Sequence, residues 1–306
     1  MDLSAVLFIL LLGTLFGAAT LTSRFCLQQF DAVTFTAFRF LLASLIYMAF
    51  YVFRIAGKRL PRDPKLWKHA AITGLLGNAI PTTLIISALS FLSSGITSTL
   101  VTIFPVVTVV AAHYFLHDEP LHARKILGVV VSFAGAFLIV ALGETGLPDV
   151  SQVNPFGYGM IFLAALSNTA NSIYMRKYMM AAPVFEITSL RLTFAAVYLV
   201  PVAFLMNRVN FSGVEASGWL GFGLSAVILV VGIFLAFFVI QRFGVTIAAM
   251  VDYVPPVVSS LGGAWLLGET VTPGMLAGMA LIFVGVLVIN LKRRKPLLQK
   301  FPYSQD

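Results

Sequence analysis

Ten apolar runs follow one another along this chain with almost nothing between them. They lie near 3–23, 34–54, 69–91, 95–116, 125–143, 155–175, 185–206, 219–241, 245–267 and 275–291, each bracketed by charges or turn residues. A helix of ~20 apolar residues is long enough to cross the ~30 Å hydrocarbon core of a bilayer. Only 10% of the residues are charged, where a soluble domain carries about 25%, and the mean hydropathy is +0.96. The expected fold is an all-α integral membrane protein of ten transmembrane helices. The connections are too short to hold a soluble domain.

The net charge of +8 would suggest nucleic acid or anionic lipid if it were spread evenly. It is not. With the N-terminus placed in the cytoplasm, 16 of the 20 basic residues fall on the cytoplasmic side: six from Arg54 to Lys68, then Arg124, Lys125, Arg176, Lys177 and Arg242, and five from Lys292 to Lys300. Only Arg24 and Arg208 fall on the far side, and Arg39 and Arg191 lie inside spans. The positive-inside rule therefore puts both termini in the cytoplasm and fixes an even number of spans. The charge marks a membrane face, so no nucleic-acid partner is implied. The first apolar run lacks the basic residues that precede a signal peptide, so it reads as a retained helix. The single cysteine, Cys26, excludes a disulfide framework and a cysteine metal site.

The chain also repeats itself. A shift of 150 residues places Pro105 on Pro255, Glu119 on Glu269, Gly128 on Gly278 and Gly135 on Gly285. A shift of 152 places Arg24 on Arg176 and Arg39 on Arg191. Each half holds five spans, an odd number, so the second copy must enter the membrane upside down. Inverted repeats about a midplane site are a hallmark of secondary transporters. The expected organisation is a first repeat over 1–143, a connection over 144–154, a second repeat over 155–291 and a basic tail over 292–306.

These residues carry a resemblance. Phe16–Gly17, Arg39, Pro105 and HDEPLHARKILGVVVSFAG at 117–135, with Pro255 and LGETVTPGMLAGMALIFVG at 267–285, resemble the EamA type of the ten-helix drug/metabolite transporter superfamily across nearly the whole chain. The chain departs from the family's pattern at Phe16, where tryptophan is common, and at Asp118, where glycine often precedes the glutamate. The resemblance implies a multi-pass protein of a bacterial inner membrane that exports amino acids or similar small polar metabolites by alternating access. The solute gradient or proton exchange would drive it. Multidrug and nucleobase exporters share the fold and remain the alternatives. No cofactor is implied. The partners are a small-molecule substrate and the lipid bilayer. The expected state is a monomer, with a homodimer left open by the GxxxG motifs GTLFG at 13–17 and GMLAG at 274–278.

A transport path needs polar side chains near span centres. The candidates are Thr14 in span 1, Asn78 in span 3, Thr102 in span 4, Asn168, Asn171 and Tyr174 in span 6, and Asp252 and Tyr253 in span 9. Asn168, Asn171 and Tyr174 are three apart and are expected to share a face. Asparagine also bonds across membrane helices without binding anything, so a purely structural role stays open. Asp252 is the only carboxylate well inside a span. It could bind an amine or a proton, pair with an arginine or cap a broken helix, or reach water. Pro81, Pro105, Pro255 and Pro256 are the candidate hinges, because a proline frees a carbonyl one turn earlier and bends the helix.

The remaining polar residues have blander readings. Arg39 and Arg191 read as structural arginines, with attraction of an anion as the alternative. Glu119 and Glu269 read as caps for the helices that follow them. His113, His117 and His122 lack an HExxH pattern, so no metal site is expected. There is no GxxxxGK[ST] loop for ATP and no GxSxG or paired-aspartate motif for an intramembrane enzyme. A membrane subunit that does not transport is the third class, and the midplane polar residues argue against it.

Overall fold

A computed structural model describes residues 3–116, 121–148, 154–179, 183–243 and 249–290. These residues form helices and their connections, with no strand among them. His117, Asp118 and Glu119, and the basic tail, lie outside the described residues.

Spans 1, 2, 5, 6 and 7 are single helices: α1 (Leu3–Cys26), α2 (Ala32–Val52), and, further on, α7 (Ala123–Ala141), α8 (Phe156–Tyr178) and α9 (Val184–Leu205). Span 3 is α3 (Pro64–Gly74) and α4 (Ile80–Ala88), joined by π-helical Leu75–Ala79. Span 4 is α5 (Ser94–Val101) followed by α6 (Phe104–Phe115). Span 8 is α10 (Ala216–Phe243). Span 9 is a 3₁₀ segment, Ala249–Tyr253, running into α11 (Val254–Leu266), and span 10 is α12 (Pro273–Asn290). Eight of these spans are long and apolar enough to cross a bilayer by length and composition alone. The other two are α8, diluted by its SNTANS run, and the broken span 9.

Local chemistry sets where helices start. Asp31 accepts from the amides of Val33 and Thr34, and Ser93 from that of Ile96. Asp63 caps α3 and Pro64 fills its first turn, so span 3 begins at 64 and not at 69. Large apolar side chains such as Leu7, Phe137 and Trp265 point outward, as helices facing lipid require.

The packing is that of an inverted repeat. α7 and α12 run antiparallel with their glycines facing. A Cβ on Gly128 would lie 2.6 Å from the carbonyl oxygen of Gly285, and one on Gly135 would lie 2.6 Å from that of Gly278. Gly278 is the repeat mate of Gly128, and Gly285 of Gly135, so each contact is the other with the halves exchanged. A two-fold relating antiparallel helices is perpendicular to them, hence in the membrane plane. The rest follows the same rule. α2 lies against its mate α9, through Ser44 to Thr193 at 2.9 Å and Tyr51 to Ser189 at 2.6 Å. α1 packs on α10 and α11, and its mate α8 packs on α4 and α6. Both GxxxG motifs are engaged inside the chain: Gly13 and Gly17 receive Val254 and Val258 of α11, and Gly278 receives α7.

At the end away from the termini the halves are tied through their turns. The Ser93 amide donates to Thr145 O at 2.7 Å, and the Thr270 amide to Gly146 O at 2.9 Å. Buried Glu269 accepts from the Ser94 amide at 2.9 Å and from its hydroxyl at 2.6 Å, and lies 3.7 Å from Arg24 Nε. Glu269 thus caps α5 of the other half instead of the helix that follows it. Thr272 caps that helix, accepting from the Met275 amide at 3.1 Å.

Candidate functional site

Spans 4 and 9 break at the same place in the repeat. α5 ends at Val101, and the amides of Thr102 and Ile103 bond three residues back, to Thr99 and Leu100. Pro105 then sits in the first turn of α6. In the second half the 3₁₀ segment ends at Tyr253, and Pro255 sits in the first turn of α11. Proline lacks the N–H that would continue the preceding helix, yet its fixed φ suits a helix start, so the break falls before each proline. Thr102 and Asp252 occupy equivalent positions at the two breaks.

A cavity of 620 Å³ opens between these breaks, walled by α1, α4, α5, α6, α8 and the start of α11. Phe16, Ile85, Val101, Phe104 and Val109 give it an apolar body. Thr102 and Asp252 reach it from the two breaks, with Pro105 and Pro255 beside them. Asn168 and Ser172 enter from α8, Thr20 from α1, and Thr97, Ser98 and Thr108 from α5 and α6.

Several wall hydroxyls bond back to the preceding turn of their own helix. Thr20 donates to Phe16 O at 3.3 Å, Thr102 to Thr99 O at 2.6 Å, Thr108 to Phe104 O at 3.0 Å and Ser172 to Asn168 O at 2.9 Å. The protons of Thr20, Thr102 and Ser172 are turned back onto their own helices and their lone pairs remain available; Thr108 also meets Thr169 Oγ1 at 3.0 Å, where either hydroxyl can donate. The carboxylate of Asp252 has no ion pair or hydrogen bond among the described residues.

A profile of the EamA-like transporter family matches the chain twice, over residues 3–141 and 155–291. The chain belongs to the EamA-like transporter family. An uncharacterized transporter of Archaeoglobus fulgidus is 22% identical over 289 residues, covering 92% of this chain and 96% of that protein. An uncharacterized transporter of Bacillus subtilis is 24% identical over 276 residues, covering 89% and 87%. A solved crystal structure superposes with a TM-score of 0.63 at 21% identity, covering 94% of this chain and 98% of that one, and so shares the fold.

Within this EamA fold the candidates separate. Thr102, Asn168 and Asp252 line the cavity; the other five do not. Thr14 is on the exposed side of α1. Tyr253 turns into the core and meets the Phe283 ring edge-on at 5.3 Å. Tyr174 bonds His69 Nδ1 at 2.9 Å. Asn171 is buried against Gly77, beside Arg191. Asn78, in the π-helical segment, accepts from Arg191 Nε at 3.1 Å. The expected common face of Asn168, Asn171 and Tyr174 fails for a geometric reason. Three residues advance a helix by about 300°, so each step swings the side chain about 60° around the axis. Two steps carry Tyr174 out of the cavity.

The arginines are held elsewhere too. Arg39 is buried, donates to Ser23 Oγ at 3.1 Å and stands over the Phe35 ring at 5.2 Å. Arg191 holds Asn78 and Met175. Neither lines the cavity. The sequence did not single out Thr20, Thr97, Ser98, Thr108 or Ser172 as wall residues. The available signal was their spacing: Ser98 and Thr102 stand one turn apart, as do Asn168 and Ser172.

Proposed function

We propose that this protein is a secondary transporter that exports a small amine-bearing metabolite through the cavity by alternating access. The observation that supports it is the position of the cavity between equivalent breaks in repeat-related spans. A break lets the two parts of a span move separately, and a cavity between two such breaks can open to one face as it closes to the other. The inverted repeat supplies a mirror image of each conformation. Amino acids and similar small polar metabolites are the class that the family resemblance implies. Asp252 is the residue that would meet the amine, and it is the candidate for proton exchange if the cycle is proton-linked. The charge distribution supports cytoplasmic termini, and relatives in an archaeon and a bacterium support placement in a prokaryotic cytoplasmic membrane.

An untargeted comparison of metabolites outside cells tests this without presupposing the solute. Overexpression should enrich at least one small metabolite in the medium, and Asp252→Asn at equal membrane abundance should abolish the enrichment. Unchanged media, or enrichment that Asp252→Asn leaves intact, would count against export through this cavity.

A further inference from the structure

The chemistry of the cavity wall is one-sided. Its hydroxyls at Thr20, Thr102 and Ser172 have donated their protons backward and present lone pairs, while Thr108 shares its hydroxyl with Thr169. Asp252 adds an unpaired carboxylate. No lysine, arginine or histidine lines the cavity among the described residues, and the intramembrane arginines are turned to other partners. The side-chain donors that remain are few: the amide of Asn168 and the hydroxyls of Thr97 and Ser98.

A solute is held where its polar groups find complementary ones. An ammonium group brings donors and a positive charge, so it suits a ring of acceptors around one carboxylate. A carboxylate group would face lone pairs and Asp252, and would lose its hydration with little in return. The apolar body of the cavity, with Phe16 and Phe104 in its wall, suits a hydrocarbon or aromatic stem.

We propose that the cavity binds an organic ammonium ion, an apolar stem ending in a protonated amine, with Asp252 as its counter-ion, and that it discriminates against zwitterions. This rests on the transport reading above and narrows it, setting amines apart from the amino acids that share their stems.

Three solutes with one stem test the inference: phenethylamine, phenylalanine and 3-phenylpropionate, titrated calorimetrically into the purified full-length chain in detergent. Phenethylamine should bind at least about tenfold more tightly than phenylalanine, with no measurable binding of 3-phenylpropionate. Asp252→Asn should weaken the amine about tenfold or more, and Asp252→Glu should recover part of that loss while melting at the parent temperature. Phenylalanine binding as tightly as the amine would overturn the proposal. So would amine binding indifferent to Asp252→Asn, or no amine binding at about 10 mM. The metabolite comparison separates the two levels. If a zwitterionic amino acid accumulates outside cells while phenethylamine fails to bind, the cation inference falls and the transport reading stands.

Discussion

Spans 5 and 10 and spans 4 and 9 are both repeat-related pairs, yet they are built in opposite ways. α7 and α12 are continuous helices whose glycines press backbone to backbone, with 2.6 Å available where a Cβ would go. Spans 4 and 9 are interrupted, and hydroxyls and a carboxylate collect at the interruption. The same inverted symmetry thus yields a rigid seam and a polar gap. Ser132 in the seam is fully buried with its hydroxyl turned toward Ile282 O, so it offers nothing to a solute, and the close packing resists movement. The gap has unfinished helix ends and a volume to fill. One pair reads as scaffold and the other as the working part.

The contrast can be broken most severely at the seam. Gly128→Val should prevent close approach of α7 and α12 and cost more than about 3 kcal/mol, seen as loss of monodisperse protein after detergent extraction. A well-folded Gly128→Val protein would mean that the seam is not the scaffold. Next comes the tie between the halves. Glu269→Ala leaves the Ser94 amide without its acceptor and Arg24, which keeps Leu89 O, without its counter-charge, and should cost about 3 kcal/mol in thermal melting. Glu269→Gln, which keeps an acceptor, should cost distinctly less. Equal melting of Glu269→Ala and the parent would show that the tie is idle.

At the gap the expectation reverses, with function lost and stability kept. Asp252→Asn should reduce transport about tenfold or more while stability changes by less than about 0.5 kcal/mol. A large drop in melting temperature would instead make Asp252 structural. Thr102→Val, at the equivalent position of the first half, removes one neutral acceptor and should give the smallest effect, about threefold in apparent affinity. A Thr102→Val loss as large as that at Asp252 would show that the two breaks contribute equally.

How far the sequence reached follows the same divide. Hydropathy and the 150-residue shift carried the all-helical membrane fold, because both are properties of the chain read along its length. Proline positions carried the breaks, because the missing N–H acts locally. The cavity face was harder to read. These helices are apolar nearly all the way round, so no amphipathic stripe marks the side facing inward. That is why Thr14 and Tyr253 could be named with Thr102 and Asp252, and why the structure turns the first pair elsewhere. Partner choice was likewise out of reach. Nothing near Glu269 in sequence indicates that it caps a helix 175 residues away, and nothing near Asn78 indicates Arg191. Both contacts are made by the packing of one half on the other.

The central claim is that the cavity between the breaks is reached from both sides of the membrane in turn. Ser172 lines it, and the one native cysteine, Cys26, is buried and can be replaced by serine. A Ser172→Cys thiol in that background can be offered an impermeant maleimide from either face of oriented membranes, with and without the exported solute. Labelling from both faces is expected, with the solute raising the rate at one face and lowering it at the other. Labelling confined to one face under every condition would contradict alternating access through this cavity.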